Sequence, residues 1–102
     1  MQPHAIRDED RRVLAYVVAE YMLNSENPPR NGRVIRWVLY SKVCRHFAPN
    51  GESRYDLDWS LFRLMEHDYI RKVNDNNSFH VGSDDMYLPT NKGMIELWAP
   101  RD

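Results

Sequence analysis

The sequence predicts a mainly helical α+β fold: a three-helix core, a small β-ribbon and a C-terminal helix. Three observations carry that expectation. Val13 to Leu23 is apolar or aromatic at every position but Glu20, the signature of a helix buried on more than one side. Asp56 to Ile70 sets Leu57, Leu61 and Leu64 on one helical stripe with Ile70 just past its end. After that the chain breaks into short segments between the turn formers Asn74-Asp75-Asn76-Asn77 and Gly82-Ser83-Asp84-Asp85, and then a last apolar-periodic run opens at Thr90. A chain of 102 residues has room for one core, so residues 1–102 are expected to form a single domain.

The elements follow in order. The first helix is expected over Asp8 to Leu23, with Asp8, Glu9 and Asp10 in its first turn, where acids oppose the positive end of the helix dipole. Asn24 to Gly32 holds Ser25, Pro28, Pro29, Asn31 and Gly32 and reads as a connection. Arg33 to Trp37 mixes cationic and apolar residues and reads as a short half-exposed strand. Val38, Leu39, Val43 and Phe47 recur at helical spacing, so a second helix is expected from Val38 to Phe47, ended by Pro49-Asn50-Gly51. Ser53 is placed to cap the third helix, with Asp56 three residues on. Ile70 to Val73 and Ser78 to Val81 are strand candidates around the asparagine-rich turn, and Met86 to Leu88 is a last short strand. Thr90 then caps a helix carrying Met94, Ile95, Leu97 and Trp98.

Composition narrows the function classes. An apolar share of 42% with 28% charged residues is that of a soluble globular domain. No stretch has the apolar length of a membrane span, and the N-terminal residues carry no signal-peptide core, so a cytoplasmic protein without membrane contact is expected. Cys44 is alone, which excludes an intrachain disulfide. The net charge of −1 hides a segregation: Arg30, Arg33, Arg36, Lys42 and Arg45 lie in a stretch from Asn27 to Gly51 that has no acid, whereas acids outnumber cations after Tyr55. Contact with a polyanion is therefore confined to part of the surface. The alternative is that these arginines are a solvated face opposite the acids of other elements.

Catalysis and metal binding lack a constellation. Cys44 and His46 are two residues apart on a helix and so diverge by about 200 degrees, too far to share a metal. There is no glycine-rich phosphate loop, no His-Glu-x-x-His and no Gly-x-Ser-x-Gly. No enzyme, metal or cofactor is expected.

The second half carries a family pattern. Leu61, Leu64, Asp68, Tyr69 and Ile70, followed by Leu88, Thr90, Lys92 and Gly93, resemble the end of the recognition helix and the wing-closing turn of winged helix-turn-helix regulators of the multiple-antibiotic-resistance, PadR and arsenical-resistance types. The resemblance spans roughly Val38 to Trp98 and consists of packing positions, so it speaks to fold more than to function. Two residues depart from the pattern. Asp68 stands where the family usually has Gly, a mild change because Asp tolerates left-handed backbone. Pro89 stands between Leu88 and Thr90, and is expected to shorten the last strand.

The resemblance implies that the third helix enters the major groove and that the wing touches the backbone. Arg54, Tyr55, Asp56, Asp58, Trp59, Phe62, Arg63 and His67 would then face outward. Arg54, Tyr55 and Arg63 would contact the groove, and Arg36, Lys42, Arg45, Arg71 and Lys72 would hold phosphates. Asp56 and Asp58 would repel phosphate unless one caps the helix and the other pairs with an arginine. Asp75, Asp84 and Asp85 oppose a DNA role for the wing. Trp59 and Phe62 are large apolar groups that a DNA-reading face seldom needs; burial against the wing or the second helix is expected for them, with a protein interface as the alternative. The expected function is a duplex DNA-binding transcriptional regulator, of a size that suits a compact repressor or an accessory factor of a mobile element. The alternative is a winged helix that binds a protein partner through Trp59, Phe62 and an acidic wing. A homodimer through the apolar first helix is also expected.

Overall fold

A computed structural model describes residues 6–26, 37–52, 54–73, 81–82 and 85–98, and the statements below concern these residues. Four helices and a three-stranded antiparallel sheet follow in the order α1 (Asp8–Glu26), β1 (Val38–Leu39), α2 (Tyr40–Phe47), α3 (Arg54–Glu66), β2 (Ile70–Lys72), β3 (Met86–Pro89) and α4 (Asn91–Trp98). The sheet order is β1-β3-β2, so the last strand is the central one. The α+β, mainly helical class is as expected from the sequence.

α1 is the spine. Val13, Leu14, Val17 and Val18 are buried, and α1 packs against α2, α3, α4, β1 and β3. Tyr16 and Tyr21 lie against the same core. The apolar girth that suggested a second subunit on α1 thus finds much of its cover within the chain, leaving Ala15, Ala19, Met22 and Leu23 exposed. α4 supplies part of that cover. Arg11 donates to the Glu96 carboxylate at 2.5 Å and to the Glu96 carbonyl at 3.1 Å, and the Tyr69 hydroxyl donates to the same carboxylate at 2.8 Å. No described helix is long and apolar enough to cross a membrane.

Several boundaries differ from expectation, each for an identifiable reason. α1 continues three residues beyond Leu23, to Glu26, and none of Asn24, Ser25 and Glu26 is a proline or glycine that would break it. Of the strand expected at Arg33–Trp37, residues 33–36 lie outside the described residues, and Trp37 is a bend. The strand instead uses Val38 and Leu39, which were assigned to the second helix. Val38 points inward and Leu39 outward, and they face Tyr87 and Met86 across the ladder. So short an apolar run fits either period, and only its distant partner decides.

β2 pairs with β3, Ile70 opposite Pro89 and Lys72 opposite Tyr87, and Val73 donates to the Met86 carbonyl at 2.8 Å. The expected strand at Ser78–Val81 does not take that place: residues 78–80 lie outside the described set and Val81 is in no strand. Nor does Pro89 end the ladder early. It lies within β3, beyond the part that β1 pairs, so its missing N–H interrupts no bond to β1.

Where α3 turns into β2, the sequence and the backbone agree closely. The Tyr69 amide donates to Leu64 at 2.9 Å and the Asp68 amide to Met65 at 3.0 Å, the paired bonds that close a helix through a left-handed residue. Asp68 is that residue, with φ of 64°. Thr90 caps α4 as expected, its hydroxyl accepting from the Gly93 amide at 3.0 Å while donating to the Asp68 carbonyl at 2.6 Å. The Ser53 cap expected for α3 lies outside the described residues.

Gly93 is buried against this junction, and a β-carbon there would collide with the carbonyl oxygen of Tyr69. Alanine favours the helix by about 1 kcal/mol over glycine, but the clash is with main chain and cannot be relieved by a rotamer. Gly93→Ala is expected to destabilise the fold by up to about 2 kcal/mol net, an overpacking cost of about 1–3 kcal/mol less that helix gain, read as a lower melting temperature. A melting temperature raised by the substitution would contradict this close approach.

Candidate functional site on the third helix

α3 buries Leu57, Ser60, Leu61, Leu64 and Met65. At 100 degrees per residue the opposite face carries Tyr55, Trp59, Phe62 and Glu66, an i, i+4, i+7, i+11 row. Tyr55 is 72% exposed, Trp59 44%, and Phe62 half-buried. The rings meet edge to face, Tyr55 to Trp59 at 6.2 Å and 73°, Trp59 to Phe62 at 5.5 Å and 86°. This geometry matches the ring quadrupoles and orders the three side chains as one surface. Glu66, exposed, ends the row.

One flank is set by α2. The Tyr40 hydroxyl donates to Asp58 at 2.5 Å and accepts from Arg54 Nε at 3.0 Å, and the Arg54 guanidinium stands 5.5 Å from the Tyr40 ring centroid. Burial, then the bond to Asp58, pushes the Tyr40 hydroxyl well above the usual tyrosine range, so it remains a donor. Asp58, expected to oppose phosphate or to pair with an arginine, is engaged by a phenol instead.

On the other flank, Arg63 does not face outward as expected. Its Nε and one terminal nitrogen donate to the two oxygens of Asp10 at 2.8 and 2.9 Å, a bidentate pair in which the Asp10 side chain is fully buried and that of Arg63 is 21% exposed. The Arg7 amide also donates to Asp10 at 3.1 Å, the reach-back bond of a capping box. Burial raises the Asp10 carboxyl, but the bonds from Arg63, Ser60 and the Arg7 amide outweigh it and hold the group below its usual range.

Lys72 is the second correction. It is 4% exposed and its Nζ lies 3.7 Å from Asp85 Oδ1. Its position in β2 turns inward, whereas Arg71 beside it is exposed. Asp85, expected to make the wing repel DNA, is buried too; it accepts from the Tyr87 hydroxyl and the Gly82 amide, each at 2.8 Å.

The other expected contacts are spread out. Lys42 is exposed on α2 and lies 3.4 Å from Glu20, and Arg45 is exposed. Arg36 lies outside the described residues, as do Asp75 and Asp84. Thus Lys42, Arg45, Arg54, Tyr55 and Arg71 remain at the surface, while Arg63 is turned aside onto Asp10 and Lys72 is buried. Tyr40 and Glu66 are the members of the site that the sequence reading missed. Glu66 was readable from its spacing to Trp59 and Phe62, whereas the hydroxyl network of Tyr40 had no local signal. The chain matches no family model, no curated protein and no solved structure.

Proposed function

We propose that this chain is a winged helix-turn-helix domain whose third helix docks a protein surface. The order α1-β1-α2-α3-β2-β3, with β1 against β3 and β2 and β3 forming the wing, supports the winged-helix reading. The outward aromatic row carries the docking reading. Exposed Tyr and Trp, ordered against each other, are what a binding hot spot uses. A helix that reads bases needs donors and acceptors along that face. Here Arg63, the cation in the last turn of α3, is held by Asp10.

The expected result is that Trp59→Ala weakens partner binding by about 2 kcal/mol or more with a small change in melting temperature. The assay pairs affinity for a purified partner with thermal melts of the same variants. Unchanged affinity in both Trp59→Ala and Tyr55→Ala would refute the docking face.

A second reading, duplex DNA binding, is favoured by the exposed Lys42, Arg45, Arg54 and Arg71 around the helix pair and wing. Under it, affinity falls with salt by about 0.9 log units per tenfold salt for each phosphate contact. Lys42, Arg45 and Arg54 changed together to Ala would flatten that slope. Titration of duplex fragments at low salt separates the readings: salt-dependent binding lost in the triple variant and retained in Trp59→Ala selects DNA.

A further inference from the structure

We propose that the occupant of the aromatic row is a second copy of this chain, bound α3 to α3 in antiparallel fashion. The inference rests on the docking reading above and names its partner. The row is complementary to itself when reversed. A two-fold axis at the level of Ser60 and Leu61 sets Trp59 on the partner's Phe62, and sets Tyr55 and Arg54 beside the partner's Glu66. At the first contact two edge-to-face aromatics meet; at the second, a phenol and a guanidinium meet a carboxylate.

Glu66 supports this orientation. It is exposed in the last turn of α3, where its charge opposes the negative end of its own helix dipole. The antiparallel partner brings a helix N-terminus to it, the end that favours an acid. Arg54 can serve there because only its Nε is used by Tyr40, and a guanidinium has five N–H donors. Within one chain these two charges cannot meet, since twelve residues of helix separate them by about 18 Å. α3 has 13 residues, about 20 Å of contact length, which places the dimer among the small, readily reversible interfaces.

The test is sedimentation equilibrium of the full chain up to about 0.5 mM, the range in which so small an interface is populated, with thermal melts of every variant. The wild type is expected to form a reversible dimer, and Trp59→Ala to raise its dissociation constant at least about 30-fold. Arg54→Glu and Glu66→Arg are each expected to weaken it, and the double exchange Arg54→Glu with Glu66→Arg to restore it, because only a reversed pair juxtaposes the two positions. A wild type that stays at 12.2 kDa throughout, a Trp59→Ala protein that dimerises like the wild type, or a double exchange weaker than both singles each overturns the proposal. A monomeric wild type that binds another protein through Trp59 overturns this inference alone, and the docking reading stands. Should Arg54→Glu melt early through loss of its bond to Tyr40, Glu66→Arg and Trp59→Ala still decide the outcome.

Discussion

Asp10→Ala is expected to remove about 3 kcal/mol of stability, the lower end of the cost of breaking a buried ion pair, because Arg63 keeps the half-exposed Glu9 at 3.6 Å. That is a large part of the 5–15 kcal/mol typical of a domain. The substitution strips the bidentate carboxylate from Arg63 and also removes the acceptor of the Arg7 amide at the start of α1. Arg63→Ala is expected to cost a similar amount, so a binding loss in that variant reports on folding. Asp10→Leu with Arg63→Met together should cost clearly less than either single change, because no charge is then left buried. Urea melts of the three variants check this. A single-variant loss below about 1 kcal/mol would place the pair in the class of exposed ion pairs and contradict the arrangement.

The same pair gives a pH dependence. The folded-state value of Asp10 lies below the ordinary 3.8, so the folded protein takes up this proton later than the unfolded chain as pH falls. The carboxylate's contribution is therefore fully present above the ordinary value and is lost as pH falls through the folded one. Stability is expected to decline below about pH 4 in the wild type, and this portion of the decline to be absent in the Asp10→Leu, Arg63→Met protein.

What the sequence disclosed and what it withheld divide along one physical line. Features written in neighbouring residues were legible: the leucine stripe of α3, the tolerance of Asp68 for left-handed backbone, the Thr90 cap. Periodicity places Trp59 on the outward side of α3, but its large apolar ring argued for burial against the wing or the second helix, and the structure leaves it 44% exposed instead. The destinations of long side chains were not legible. Arg63 lies to one side of α3, and its reach to Asp10 spans 53 positions of sequence, with no local signature. Asp10 itself had a sufficient local explanation as a first-turn acid, which concealed its tertiary role. Strand pairing failed for the same reason, because Val38 and Leu39 become a strand only through Tyr87 and Met86. At the candidate site, therefore, the outward positions of Tyr55, Trp59 and Phe62 could be counted off the helix, while their joining into one exposed row, the capture of Arg63 by Asp10 and the burial of Lys72 could not.

Asp85→Ala is expected to be as damaging as Asp10→Ala, through a different core. Asp85 is 7% exposed between Lys72 and Tyr87, themselves 4% and 0% exposed, and it answers three groups at once: the Lys72 ammonium, the Tyr87 hydroxyl and the Gly82 amide. Burial and the bond to Asp85 push the Tyr87 hydroxyl far above the usual tyrosine range, so it stays protonated and depends on that acceptor. Removing the carboxylate withdraws a counter-charge from a buried ammonium and an acceptor from a buried phenol, and the expected loss is about 3 kcal/mol. Lys72→Met in the Asp85→Ala background should recover part of it, since the buried cation is then gone, whereas Tyr87→Phe in the same background should recover a smaller part. Chemical denaturation of the two double variants against Asp85→Ala measures both. Recovery by Tyr87→Phe alone would mean that the hydroxyl, and not the ammonium, is what Asp85 chiefly holds.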